Sequence, residues 1–460
     1  MNESWFAGAA VVVLVLALAG AVVAGADDAG DEDVSGWTPD VPDVHDVEEP
    51  TEPGVATVNG ETYDSAQEAL NAAEPGETVV LDGRFDERVV VSTPDVRIVG
   101  ADGTDSALID GGGEDTVLWI DADNVTVEGV WLRESGYERS TEDAGVFVNG
   151  TDATLSELRI TESTFGVWID GVSGTTIENA SIAGREDVYP VVQRGNGIHV
   201  WNAEDVVLRD NHITTVRDGI YYTHSADVLT ENNVMWDLRY GVHYMYSNDN
   251  VLSGNVAFDN DVGFALMVSQ NLTVEENVAI DNRGQSSHGI LVKDIDRSEI
   301  RDNVLVDNGN GLYVYNSNEN EIVDNLVLEN DLGIHITAGS SGETVVGNSF
   351  IENDEAAFAT SNSQVAWNDT ERGNYWSEAR TSDLDGDGTS EIRHQPAGAV
   401  ERLVHDRPQA ATFAESPAFD AVRMAESSFP VIESPGIVDH RPLAEPPHDE
   451  WREYHEDHDH

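Results

Sequence analysis

Apolar and polar positions alternate along residues 145–337 in short bursts, and each burst restarts at a glycine: Gly145, Gly166, Gly197, Gly219, Gly241, Gly263, Gly289, Gly311 and Gly333. From Gly197 onward the steps are 22, 22, 22, 26, 22 and 22 residues, after earlier steps of 21 and 31. The first and third residues after every glycine are aliphatic or aromatic, from Val146 and Val148 through Val242 and Tyr244 to Ile334 and Ile336. Such period-two alternation predicts a strand with one buried face. The i, i+3, i+4 spacing of an amphipathic helix is absent. A second ladder runs in phase at Asn211, Asn233, Asn255, Asn277, Asn303, Asn325 and Asn348. A short apolar strand follows each asparagine, and another precedes it, as in Val256-Ala-Phe and Val206-Val-Leu. A fixed period of this length marks a repeat fold. Three short strands per repeat, joined by Asn/Asp/Gly turns, predict an all-β, right-handed parallel β-helix over 55–370, with a mostly irregular and helical C-terminal extension. The asparagines read as structural, since their amides can bond from coil to coil.

The same register predicts which side chains face outward. Second positions after the glycines carry Phe147, Trp168, His199, Tyr221, His243, Ala265, Leu291, Tyr313 and His335. Fourth positions carry Asn149, Asp170, Trp201, Thr223, Met245, Met267, Lys293, Tyr315 and Thr337. Asp170 is their one carboxylate, in a chain with 88 acidic residues. An apolar strip on so charged a protein predicts a binding surface. Within it His243 and Met245 lie two residues apart, about 6.5–7 Å. Met245 and Met267 are equivalent positions on successive coils, about 4.8 Å apart. The chain has five methionines. Thioether and imidazole are donors that soft Cu(I) accepts. His243, Met245 and Met267 are therefore the candidate copper ligands, with a plain protein interface as the alternative. His199, two coils below His243 with Tyr221 between, is a secondary candidate. So is His288, because the four extra residues of the 26-residue step fall around Gln285–His288 and predict a small loop bordering the site.

Composition narrows the partners. A formal charge of −65, from 88 acidic against 23 basic residues, excludes nucleic acid as a partner and suits a halophilic setting. With no cysteine there is no disulfide, thiolate site or cysteine nucleophile. Residues 1–26 hold a long Ala/Val/Leu/Gly run and predict an export signal, or an uncleaved membrane anchor. Either places the body outside the cytoplasm. Residues 27–54, rich in Asp, Glu and Pro, predict a disordered linker. Residues 383–391 place Asp383, Asp385 and Asp387 at alternate positions with a glycine at the turn, as a calcium loop does. The twelfth position is His394, so a complete EF-hand is not expected; a solvated acidic loop is the alternative. Residues 444–460 form a His- and acid-rich tail containing His448, His455, His458 and His460.

Four segments carry a family resemblance. LRYGVHYMYSNDN at 238–250 and GNVAFDNDVGFALM at 254–267 resemble NosD, a maturation factor of nitrous oxide reductase. RGNYWSEARTSDLDGDG at 372–388 and ESSFPVIESPGIVDHRPL at 426–443 are similar to that family's closing blocks, within a C-terminal segment at 371–443. The chain departs from the family's usual Ser-Asp-Tyr at Ser377-Glu-Ala. The resemblance implies an exported, non-enzymatic accessory protein. It would work with an ABC-type ATPase, a membrane permease and a copper chaperone in assembling the copper–sulfur cluster of nitrous oxide reductase. It strengthens a copper role for His243, Met245 and Met267. The rival from another class is a carbohydrate-binding or polysaccharide-degrading β-helix, which would need exposed paired carboxylates or sugar-stacking rings.

Overall fold

The computed structural model describes residues 41, 44, 47–104, 106–337, 339–361, 363–398, 400, 403–404, 407–413, 416–428, 436–449 and 451–454. The expected export segment and most of the 27–54 stretch lie outside them. Among the described residues the glycine bursts form one parallel sheet of twelve strands. In chain order these are β1 (Val89–Val91), β2 (Leu118–Ile120), β3 (Ala144–Val148), β4 (Phe165–Asp170), β5 (Ile198–Trp201) and β6 (Asp218–Thr223). They continue as β7 (Tyr240–Met245), β8 (Val262–Gln270), β9 (His288–Asp296), β10 (Asn310–Tyr315), β11 (Leu332–Ile336) and β12 (Glu355–Ala359). Each pairs only with its predecessor and successor, so the order in space is the order in sequence. The predicted parallel β-helix is thus the fold.

All eighteen inward positions are buried, with Ile336 the most exposed at 8%. Register keeps like above like: Val242 pairs with Ile220 below and Phe264 above. The glycines are required by how closely the coils approach at this corner. A Cβ on Gly241 would lie 2.6 Å from the Gly263 carbonyl oxygen and 3.0 Å from the Ala257 methyl. The short strands around the asparagine ladder build the other two faces, joined through Thr78–Phe85, which pairs with strands of both. Each ladder asparagine is buried and bonded as expected. Asn233 donates its backbone N–H (2.9 Å) and its side-chain amide (2.9 Å) to Asn255 Oδ1, and the amide also donates to the Leu208 carbonyl (3.0 Å). These bonds satisfy polar groups that a dry corner would otherwise leave orphaned.

Both ends of the core are covered. Helix α1 (Ala66–Ala72), capped by Ser65, buries Ala66, Ala69 and Leu70 against the first strands. At the other end Trp376 stacks on Phe350 at 4.4 Å, with Trp367 beyond it. The extension contains a helix α2 (Pro417–Ser428) and a strand Gly436–Val438 that pairs with Gln364–Ala366. Asp439 fastens it, accepting from Asn374 N (2.7 Å), Trp376 Nε1 (2.9 Å) and Arg441 N (2.9 Å). Two stretches read as tail and linker prove to be docked where they are described. His448 accepts from the Ser349 hydroxyl (2.7 Å) and donates to the Asp324 carbonyl (2.9 Å), leading into a short helix α3 (Trp451–Tyr454). Glu49 bridges Arg84 and Arg133 on the first coils, because two guanidiniums there outweigh the cost of ordering an acidic segment.

A candidate metal site on the outer glycine sheet

The outward side chains of the glycine sheet stack from coil to coil. Ring centroids run Trp119–Phe147 (4.1 Å), Phe147–Trp168 (6.4 Å), Trp168–His199 (3.9 Å), His199–Tyr221 (4.8 Å) and Tyr221–His243 (4.6 Å). The row of rings stops at Ala265, in register with His243. The expectation of an open strip is corrected here. Phe147, Trp168, His199, His243, Ala265 and Leu291 are all buried, because adjacent rings cover one another. Trp201 and Tyr315 at fourth positions remain exposed.

Strict alternation fails at one place. The residue before each glycine shares the outward face with the second position after it. Phe165 meets Trp168 edge-on at 4.9 Å, and Tyr240 meets His243 at 5.1 Å. This puts Asp218, directly before Gly219, onto the face as a second carboxylate beside Asp170. Asp218 has no exposed surface. It accepts from Arg239 Nε (2.8 Å) and Nη2 (2.6 Å), lies 3.3 Å from Arg217 Nε and meets His243 Nδ1 at 3.2 Å. Burial alone would raise its pKa. Hydrogen bonds from His243 and Arg239, with the charges of Arg217 and Arg239, outweigh burial and hold the carboxyl below its ordinary range. The sequence did carry a signal: Arg217 and Arg239, two of only 23 basic residues, fall at one register on successive coils.

An ionised carboxylate can only accept, so the His243 proton facing Asp218 is on Nδ1. In the neutral ring the lone pair is then on Nε2, an atom that is buried and without a hydrogen-bond partner. Met245, two residues on, is partly exposed and pairs with Met267, also partly exposed. Met267 packs against the edge of a small buried cluster that includes Ala265 and Leu291. Next along that row stands Lys293, the chain's only lysine. The structure therefore sets His243, Met245 and Met267 on one face of two neighbouring strands. A carboxylate-oriented imidazole with a free nitrogen is how proteins prepare a histidine for metal, and thioethers select soft ions.

The secondary candidates separate. His199 stays within the row, and its Nε2 is likewise buried without a partner. Burial, followed by the Arg217 charge, pushes its pKa down to about 3, so the ring is neutral. His288 does not join the cluster. It opens β9 between Val262 and Asn310 and stacks on Tyr313 at 4.6 Å, whereas Met267 pairs with Lys293 five residues further along. The loop of the long step spans 281–287 and is held by Asp261, which accepts from Ser286 and Ser287.

The acidic loop also differs from expectation. Asp383, Asp385 and Glu391 bring one carboxylate oxygen each within 4.8 Å of one another, all exposed. Asp387 is diverted to Arg441 Nη2 (2.8 Å) and Thr389 (2.7 Å), because the guanidinium captures it. Glu391 takes the place that alternate spacing assigns to Asp387.

Comparison with known proteins gives a consistent picture. A family model described as periplasmic copper-binding protein (NosD) matches residues 178–380. A Pseudomonas aeruginosa protein named probable ABC transporter binding protein NosD is 36% identical over 411 residues, covering 86% of this chain and 94% of the relative. A protein of the same name from Stutzerimonas stutzeri is 36% identical over 358 residues, covering 74% and 81%. Among solved structures, a PL6 alginate lyase in complex with a trisaccharide superposes with a TM-score of 0.51 at 16% identity, covering 68% of this chain and 80% of that one. That likeness concerns the fold alone.

Proposed function

The chain belongs to the NosD family, and from that premise we propose that it holds Cu(I) as cargo at His243, Met245 and Met267 during maturation of nitrous oxide reductase. The observation that carries this reading is the His243 imidazole: Nδ1 is committed to buried Asp218, and Nε2 is buried with no partner. Asp218 orients the ring, the two thioethers complete a soft donor set, and His199 stands along the same row. The family is described as periplasmic, and its relatives are named for an ABC transporter. We read this chain as an exported, non-enzymatic partner of an ABC-type ATPase and its permease, receiving copper from a chaperone and serving nitrous oxide reductase. Calcium at Asp383, Asp385 and Glu391 is a subordinate reading, supported by the convergence of their oxygens.

The test is a Cu(I) competition titration of the full chain against a chromophoric chelator. Wild type should bind at least tenfold more tightly than His243→Ala/Met245→Ala. Equal affinity, together with specific binding of an alginate oligosaccharide, would favour the carbohydrate reading.

A further inference from the structure

The outer face of the asparagine sheet carries a second apolar row, away from the candidate metal site. Its members sit three places after ladder asparagines: Trp236, Phe258, Ile280, Val306, Leu328 and, at the end, Ile351. Ile280, Val306, Leu328 and Ile351 are buried, with Phe258 packed against them. What covers the far end is this chain's own α3. Trp451 and Tyr454 pack on the cluster, and His448 ties that segment to Ser349 and Asp324. At the near end Phe258 stacks on Trp236, centroids 5.9 Å apart and planes 6° from parallel, and both rings remain partly exposed.

Carboxylates border the row along one whole side, and along the other side only toward the far end. At the corner following each strand stand Asp237, Asp259, Asp281 and Asp307; at the corner preceding it Glu276, Asp302 and Asp324 stand on the later coils, whereas the coils of Trp236 and Phe258 have Asn232 and Gly254 there. All seven acidic residues adopt the left-handed conformation, φ between 51° and 56°, which fixes them in stacked columns at coil spacing. Arg283 partly neutralises the first column, at Asp281 and Asp307, and Arg301 and Arg372 pair with Asp302 and Asp324 of the second. Even so, burial and the charges of Asp307 and Asp259 raise the Asp281 pKa to about 6, which marks the crowding of negative charge there. At the Trp236–Phe258 end the surface is apolar along its axis and acidic along one border, at Asp237, Asp259 and Asp281.

We propose that the Trp236–Phe258 end of this row docks a basic amphipathic helix of a partner protein, laid along the row in continuation of α3. The apolar side of such a helix would cover the two rings, as Trp451 and Tyr454 cover the far end. Its lysines or arginines would meet the carboxylate column on that border. An anionic membrane is disfavoured because the Asp237–Asp259–Asp281 column repels it. A second copy is disfavoured because it carries the same −65 charge. This surface does not depend on the copper reading, which could fail without affecting it.

The experiment uses the full chain and a fluorescently labelled synthetic peptide of leucines and lysines, patterned with one apolar helix face. A scrambled peptide of identical composition is the control. Anisotropy should show the patterned peptide binding at least about tenfold more tightly than the scrambled one. Trp236→Ser/Phe258→Ser should erase that preference at a temperature where circular dichroism shows the variant folded, since both rings are partly exposed and their loss lowers the melting temperature without unfolding the coil. Asp259→Asn/Asp281→Asn should weaken binding and flatten its salt dependence. Equal binding of both peptides, or ring variants that bind like wild type, overturns the proposal. So does a ring-dependent association with phosphatidylglycerol vesicles or a ring-dependent dimer seen by light scattering in the absence of peptide.

Discussion

Replacing Asp218 by asparagine keeps the shape of the side chain and removes the charge on which the outer sheet is organised. In the native chain this carboxylate is completely buried and accepts from Arg239 twice and from His243, with Arg217 beside it. Asparagine would strand two guanidiniums whose side chains are 16% and 26% exposed. Breaking a buried pair from one side costs about 3–5 kcal/mol. Arg239 stays stacked over Tyr240 at 4.2 Å and both arginines retain some water, so about 3 kcal/mol is expected. The sign of the pH dependence follows from the depressed pKa. The stabilisation is fully present above the unfolded value of about 3.9 and is lost as pH falls toward the lower folded value. Urea unfolding followed by circular dichroism at pH 7, 5 and 3.5 should therefore show a gap between wild type and Asp218→Asn that is constant at the first two pH values and narrower at the third. Coils add nearly independently in a solenoid, so protease sensitivity should rise first around residues 197–263. Identical unfolding midpoints at pH 7, or a gap that widens on acidification, would refute the reasoning.

Val242 has no exposed surface, and Val242→Asp should unfold at least the local coils at a cost of several kcal/mol, whereas partly exposed Met245→Ala should melt close to wild type and lose only Cu(I) affinity. Equal losses of thermal stability would reverse the inside and outside assignments. Asp281 titrates in the opposite sense from Asp218: its raised folded pKa destabilises the coil above about pH 6, an effect that fades as pH falls toward the unfolded value near 4. Asp281→Asn should accordingly raise the melting temperature clearly more at pH 7.5 than at pH 4.5, as differential scanning calorimetry can check. Calcium should protect the 383–391 loop from proteolysis in wild type and in Asp387→Asn, but not in Glu391→Gln, since Asp387 is already held by Arg441. Protection lost in Asp387→Asn alone would restore the alternate-aspartate arrangement.

The inward half of the coil was legible because one period fixes both spacing and face: each of the eighteen positions after the glycines is buried. The ladder was legible for the same reason, each asparagine standing above the last. What alternation could not supply was the corner. The chain turns at the glycine, so residues before and after it meet on one side, and Asp218, Phe165 and Tyr240 came to the outward face unannounced. Exposure was not legible either. Counting positions finds the outward side chains but not that stacked rings bury one another. The displacement of His288 has a similar cause: an insertion in sequence need not border the coil position it follows, and here the extra residues open β9 at its far end from Met267.

The fold itself argues that the charged set at the candidate site is not there for stability. One coil beyond His243, the same two register positions are filled by Val262 and Ala265, both fully buried. An apolar pair evidently satisfies this corner, at no electrostatic cost. On the coils of β6 and β7 the positions instead carry Asp218 with Tyr221 and Tyr240 with His243, and Asp218 needs two arginines to remain ionised without water. Buried ion pairs of this kind are commonly no more stabilising than apolar residues of similar volume. Met245 and Met267 alone would be consistent with simple apolar cover. Beside an imidazole whose Nδ1 is committed to a buried carboxylate and whose Nε2 has no partner, they would supply the thioethers of the proposed donor set, and that contrast between neighbouring coils of one sheet is the strongest physical reason to look for metal at β7 and β8 rather than elsewhere along the row.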